Sequence, residues 1–142
     1  MPPDLTWRPA VELARMLRRR EVSPVELLQA CLARIDAVDG SLNSLVTLDP
    51  ETAMATARDA ERRLVDGEDR PPPFLGVPLA VKDLHLTAGL RTTFGCRALE
   101  AFVPDADEEH VARLRAAGFV VLAKTNVPEF GTLPYTESAL LG

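Results

Sequence analysis

Cysteine, histidine and long apolar runs are all scarce in this chain, and each scarcity removes a class of function. Cys31 and Cys96 are too few and too far apart for a disulfide framework or a thiolate metal motif. Cys31 falls in a helical apolar pattern and is expected to be a buried thiol. No apolar run approaches the ~20 residues of a membrane span. The opening stretch, MPPDLTWRPA, has no charged segment leading into an apolar one, so no secretory signal is read there. No basic stripe exists to meet phosphate, and a formal charge of −5 with a pI near 5.0 argues against nucleic acid. The one basic cluster, Arg18-Arg19-Arg20, falls at a helix end, where it complements the dipole. No internal repeat is present, and Pro71-Pro72-Pro73 is the one low-complexity spot. These absences suggest a reducing, cytoplasmic setting, with no metal or cofactor expected. A length of 142 residues fits one domain.

What is present alternates between helical and strand-like patterns. A first helix is predicted over Pro9–Arg19, with Ala10, Leu13, Ala14 and Leu17 in one stripe. A second opens on Ser23-Pro24-Val25-Glu26, a capping box with proline in the first turn. Val25, Leu28, Leu32 and Ile35 form its apolar face, and Gly40 is the predicted stop. Leu45–Leu48 reads as a short strand. Asp49-Pro50 then starts a helix whose Ala53, Ala57, Ala60 and Leu64 suit close packing, with Gly67 ending it. Asp66–Pro73 reads as a surface loop. Val77–Val81 and Phe119–Ala123 are apolar runs of strand length, read as strands buried on both faces. Between them, Asp105–Ala117 is predicted helical, with Asp105 and Glu108 as a capping pair. Apolar runs separated by amphipathic helices indicate an α/β fold with three or four strands. A helical region of about 1–70 precedes the start of a core at about 71–142. The stretch Tyr135–Gly142 shows no stop signal, and the chain reads as cut short.

The segment GVPLAVKD, residues 76–83, ends an interior-looking strand on Lys82. A lysine at a strand end is ordinarily solvated, its stem laid over apolar surface. Open α/β sheets, however, bind ligands outside the carboxyl ends of their strands. An amine held there in apolar surroundings loses the hydration of its charged form and becomes able to take a proton from a hydroxyl nucleophile. Asp83, its neighbour, points to the opposite face, so no ion pair is implied.

GVPLAVKD resembles the lysine motif of the amidase signature family, serine hydrolases with a serine–cis-serine–lysine triad. TAGLRTTFG (87–95), GFVVLAKTNVPEF (118–130) and the N-terminal EVSPVELL resemble successive blocks of the same family, so the resemblance covers nearly the whole chain. It implies an α/β/α sandwich around a mixed sheet, of which this chain would form the N-terminal part. It also implies hydrolysis of linear carboxamides through an acyl-enzyme, without metal or organic cofactor. Lys82 then corresponds to the catalytic lysine, passing a proton through one serine to activate a second. The two matching serines belong to a Gly/Ser-rich tract expected beyond residue 142. None of Ser23, Ser41, Ser44 and Ser138 lies in such a loop. Cys96 stands where relatives often carry serine.

Other residues draw attention. His85 is read as a loop or packing residue, and His110 as solvated in a first helical turn. Lys124-Thr125-Asn126 follows the second apolar strand and suits the floor of a site. A loop-fixing role for Asn126 is weighed equally. Glu129 and Phe130 are read as scaffold, and Arg91-Thr92-Thr93 as a candidate border of an acyl pocket. The substrate-binding residues stay unassigned. The leading reading is a small-molecule amide hydrolase of which this chain carries only the lysine, inactive by itself. A homodimer is left open. Two alternatives remain: a non-catalytic or split piece that needs a partner, and the amidotransferase subunit that works on mischarged tRNA. The latter is ranked lower because EFGTLPYTES looks more like stand-alone amidases.

Overall fold

A computed structural model describes residues 5–142; the first four positions of MPPDLTWRPA lie outside the described residues. Four helices and three strands follow in chain order: α1 (Ala10–Arg18), α2 (Pro24–Leu42), β1 (Leu45–Leu48), α3 (Pro50–Val65), β2 (Pro78–Lys82), α4 (Glu109–Ala116) and β3 (Val120–Thr125). Short 3-10 turns occupy Leu5–Trp7, Arg97–Leu99 and Glu129–Gly131. The fold is α/β, as the alternation of patterns predicts.

The strands form one mixed sheet in the order β1-β3-β2, with β3 antiparallel to β1 and parallel to β2. β3 is therefore the central strand, buried from Val120 through Lys124. The expectation that both apolar runs are buried on two faces holds for β3 alone. In β2, Pro78, Leu79 and Ala80 are half-buried, only Val81 is buried, and Lys82 is exposed, because β2 has a sheet neighbour on one side.

Two layers cover the sheet. Leu28 of α2 and Ala53 and Ala57 of α3 pack on Val120, Leu122 and Ala123. The alanines are 0% exposed, since small side chains let α3 approach closely. Val111 of α4 and Leu90 pack on Val81 and Val121 from the other face. A further cluster joins Leu13, Ala14 and Leu17 of α1 to Leu27 and Val77, with the stacked rings of Phe74 and Phe119 alongside. Leu27 lies outside the single stripe predicted for α2, which in fact buries two faces. Cys31, expected buried, is half-buried against this cluster.

The ends of the helices show which signals were sufficient. Ser23 accepts from the Glu26 amide at 3.1 Å while Glu26 accepts from the Ser23 amide at 2.8 Å, the predicted capping box. Asp49 caps α3 through the Thr52 amide. Gly40 does not stop α2, which runs on to Leu42 and closes on Asn43 in a left-handed conformation, its side chain bound to the Leu141 carbonyl. α4 begins at Glu109 rather than near Asp105, and Glu108 makes no side-chain cap, because its carboxylate is taken by groups across the loop. Arg20 reaches from beyond α1 to the Leu64 and Val65 carbonyls, satisfying the last turn of α3. Gly118 (φ 96°) turns the chain into β3 against Leu75, whose backbone would lie 2.7 Å from any Cβ placed there.

Candidate functional site

The carboxyl ends of β2 and β3 lie side by side, with Val81 opposite Lys124 and Lys82 opposite Thr125. Their two lysines are in opposite situations, and an irregularity in β3 is the reason. Leu79 pairs with Val121 but Ala80 pairs with Ala123, so β3 carries one extra residue at Leu122. Before the bulge, Val120 and Val121 face the α2/α3 layer and the α4 layer in turn. After it the alternation is inverted, and Ala123 takes the α2/α3 side. Lys124 is thereby delivered to the α4 side, in step with Val81. β2 has no such insertion, so Lys82, next after Val81, points to the opposite face.

Lys124 is wholly buried. Its ammonium donates to the His85 carbonyl, to Thr87 Oγ1 at 2.9 Å and to Thr92 Oγ1 at 3.0 Å, which uses all three protons. Burial pushes its pKa down to about 8, against the opposing pull of Asp83, Glu108 and Asp107. The expectation that Lys124-Thr125-Asn126 follows the strand is corrected: Lys124 and Thr125 belong to β3, and Lys124 ties the loop after β2 to the sheet. Sequence reasoning missed this role because the bulge leaves no local mark.

Asp83 is equally buried and serves the same loop. Its carboxylate accepts from the Thr93 amide at 3.1 Å and the Thr93 hydroxyl at 2.5 Å, and the Gly95 amide donates to that hydroxyl at 3.0 Å. The Asp83 amide donates to the Thr125 carbonyl, and its own carbonyl accepts from Phe94. Thr92 and Thr93, read as pocket border, are inside the protein with their hydroxyls engaged. Arg91 instead donates to the Val46 carbonyl at 2.5 Å and lashes the loop to β1.

A second loop packs on the first. Phe94 (φ 56°) and Phe130 (φ 51°) both adopt left-handed backbone, the Phe130 amide donates to the Phe94 carbonyl at 2.8 Å, and their rings lie 6.2 Å apart. A Cβ at Gly95 would stand 2.8 Å from the Val127 carbonyl oxygen. Asn126 accepts from the Val127 amide and donates to the Asn43 carbonyl, a loop-fixing role that pins the α2–β1 turn to the end of β3.

Lys82 itself is exposed at the tip of β2, with its carbonyl accepting from His85 in a tight turn. The four serines all make local contacts. Ser23 caps α2, Ser41 donates to the Val38 carbonyl, Ser44 bonds Asp39, and Ser138 accepts from the Leu141 amide.

His85 and His110 are not separate, as the sequence reading had them. Both ring Nδ1 atoms face the same Glu108 oxygen, at 3.0 and 2.7 Å. Burial alone would raise the Glu108 carboxyl, but the Leu86 amide and the two histidines hold it below the usual carboxylate range. Among the described residues this is the group able to hold a metal ion.

The profile of the Amidase family matches residues 26–142. A glutamyl-tRNA(Gln) amidotransferase subunit of Methylococcus capsulatus is 47% identical over 131 residues, which are 92% of this chain and 27% of that relative. The structure of 6-aminohexanoate cyclic dimer hydrolase superposes with a TM-score of 0.84 at 34% identity, over 98% of this chain and 27% of that one. Native peptide amidase from Stenotrophomonas maltophilia gives 0.80 at 37% identity, over 87% and 26%. The chain thus spans about a quarter of the length of the curated relatives it matches. By sequence over most of its length and by the course of its backbone, this chain belongs to the amidase signature family.

Proposed function

We propose that this chain carries the proton-relay lysine of an amide-cleaving site, and that Lys82 is that lysine. The observation that carries the reading is the contrast at the tip of β2. Asp83 and its partners hold the backbone rigid, while the Lys82 side chain stays outside the closed hydrogen-bond network. A group that must meet a substrate needs this combination of fixed origin and open access. The left-handed backbone at Phe94 and Phe130 beside it fits the tendency of functional sites to retain strained conformers. Match of the GVPLAVKD block to the family's lysine motif points to the same residue.

In this scheme the Lys82 amine accepts a proton from a bridging serine. That serine takes one from the nucleophilic serine as it attacks the amide carbon. The departing amine receives the proton back along the same path, leaving an acyl ester that water then cleaves. The four serines of this chain are occupied locally, so both hydroxyl partners come from outside residues 1–142. The exposed Leu42, Leu48, Phe130, Leu133 and Tyr135 fit burial by such additional protein. The substrate in this scheme is a small-molecule carboxamide and the setting cytoplasmic. Amide transfer in a glutamyl-tRNA(Gln) amidotransferase is the second reading, favoured by the 47% identity to a subunit of that enzyme.

Assaying residues 1–142 on a panel of aromatic and aliphatic amides and on glutamine tests this directly. No turnover is expected from the chain alone. Turnover is expected once the chain is joined to the family's Gly/Ser-rich serine tract and the remainder of its catalytic core, and Lys82→Ala should remove it. Turnover by the chain alone that survives Lys82→Ala would overturn the mechanism. Turnover by the chain alone that Lys82→Ala abolishes would place the nucleophile within these residues, with Ser138 first to be examined. Preference for glutamine over the other amides would select the second reading.

A further inference from the structure

We propose that His85, Glu108 and His110 form a binding site for a divalent transition metal of the zinc type, tying the loop after β2 to the start of α4. These are the only two histidines in the sequence. They come from different elements, yet their rings meet edge to face with centroids 4.1 Å apart. Both Nδ1 atoms converge on one carboxylate oxygen, Glu108 Oε1, and all three candidate ligand atoms lie within 4.8 Å of one another.

Two imidazoles and a carboxylate are a common donor set for zinc, with bonds of about 2.0–2.2 Å. Tetrahedral bonds of that length separate neighbouring ligand atoms by about 3.3 Å. The present 3.0 and 2.7 Å separations therefore need to open by about 0.3 and 0.6 Å, and the two ring nitrogens already lie within 4.8 Å of each other. His110 is exposed and His85 and Glu108 are half-buried at the surface, so an ion has a path in and a free coordination position for water. The carboxylate is oriented in advance, because Glu108 Oε2 accepts from the Leu86 amide at 2.9 Å. Such supporting bonds fix ligand geometry around metals.

The protons balance simply. A neutral ring with its proton on Nδ1 passes it to Nε2 and coordinates through Nδ1, with no net release, while a charged ring releases its Nδ1 proton on binding. Affinity therefore falls in acid, where protons compete with the ion for the ring nitrogens. The Lys124 ammonium, bound to the His85 carbonyl, opposes the cation. Arg115 is offset by its pairing with Asp107 at 2.9 Å. This favours a site of moderate rather than extreme affinity. Metal binding here is independent of the role given to Lys82.

The test is titration of the chelator-treated chain with Zn2+ and, separately, Co2+. One ion per chain is expected, with shifts of both imidazole 15N signals and visible cobalt bands of four-coordinate type. His85→Ala and His110→Ala should each weaken binding by roughly tenfold or more, a loss at least as large as that of a supporting residue. His110 is exposed, so its variant should retain the fold, checked by circular dichroism. The imidazole spectrum of the unaltered chain needs no variant at all. Absence of one-to-one binding, unchanged affinity in His110→Ala, or a cobalt–thiolate band pointing to Cys31 or Cys96 would each overturn the site.

Discussion

Lys82 and Lys124 stand at the carboxyl ends of neighbouring strands, one residue apart in register, and share almost nothing else. Lys82 stands at the tip of an edge strand and is exposed; Lys124 lies in the central strand and is wholly buried among three acceptors. The difference teaches that position along a strand does not define a lysine's role. What decides is the face to which the pleat directs it and whether acceptors wait there. One amine stands outside the hydrogen-bond network, as the role proposed for it requires. The other is consumed in holding the loop after β2.

Substitution at each lysine is the sharpest way to break this contrast. In a catalytically complete protein, Lys82→Ala should lower turnover by roughly 10²–10⁴-fold, the usual worth of a positioned proton carrier. Its stability should change by no more than about 0.5 kcal/mol, as for other exposed positions. Parallel kinetic and denaturant measurements check both halves. Near-normal rates would remove Lys82 from the reaction.

Lys124→Met should reverse the pattern. Loss of the ammonium leaves the His85 carbonyl and two threonine hydroxyls without their donor, at a cost of about 2–3 kcal/mol in urea unfolding. A cost equal to that of Lys82→Met would mean that the buried network contributes nothing.

Alkaline titration sharpens the comparison further. The folded-state pKa of Lys124 is about 8, below its ordinary 10.5. Between those values the unfolded chain binds more protons than the folded one, so stability should rise with pH across that window. Below pH 8 both states are protonated and the penalty is constant. The rise should be on the order of 3 kcal/mol and vanish in Lys124→Met. A flat profile in the parent chain, or the same rise in the variant, would refute it.

Far from both lysines, Ser23→Ala should cost about 1 kcal/mol through loss of the α2 cap. It should leave the pH profile and any turnover untouched. An effect on either would show that the two ends of the sheet are coupled through α2.

Local signals carried much of this fold. The capping box at Ser23 and Glu26, the Asp49 cap and the alanine face of α3 depend on neighbours within a few residues, and all appear as predicted. Gly40 misled because its freedom allows a stop without requiring one, and Asn43 supplied the left-handed cap instead. Glu108 misled because a carboxylate at a helix start has two uses, and the histidines and the Leu86 amide across the loop won it. Thr92 and Thr93 resemble exposed loop residues in sequence. Their burial follows from Asp83 and Lys124, which reach them across the loop and the sheet.

By itself the sequence determined the order of helices and strands, the caps that start α2 and α3, and the placement of Lys82 at a strand end in the amidase signature family. These rest on periodicity, short-range hydrogen bonding and a block-by-block match along the chain. Only the tertiary structure decided which face each lysine takes and that the two histidines share one carboxylate. For the lysines the physical reason is that one extra residue at Leu122 inverts the alternation of the β3 residues after it; for the histidines it is that the loop after β2 and the start of α4 meet at Glu108. Such a bulge is selected by how β2 and β3 pack together, not by any residue that announces it.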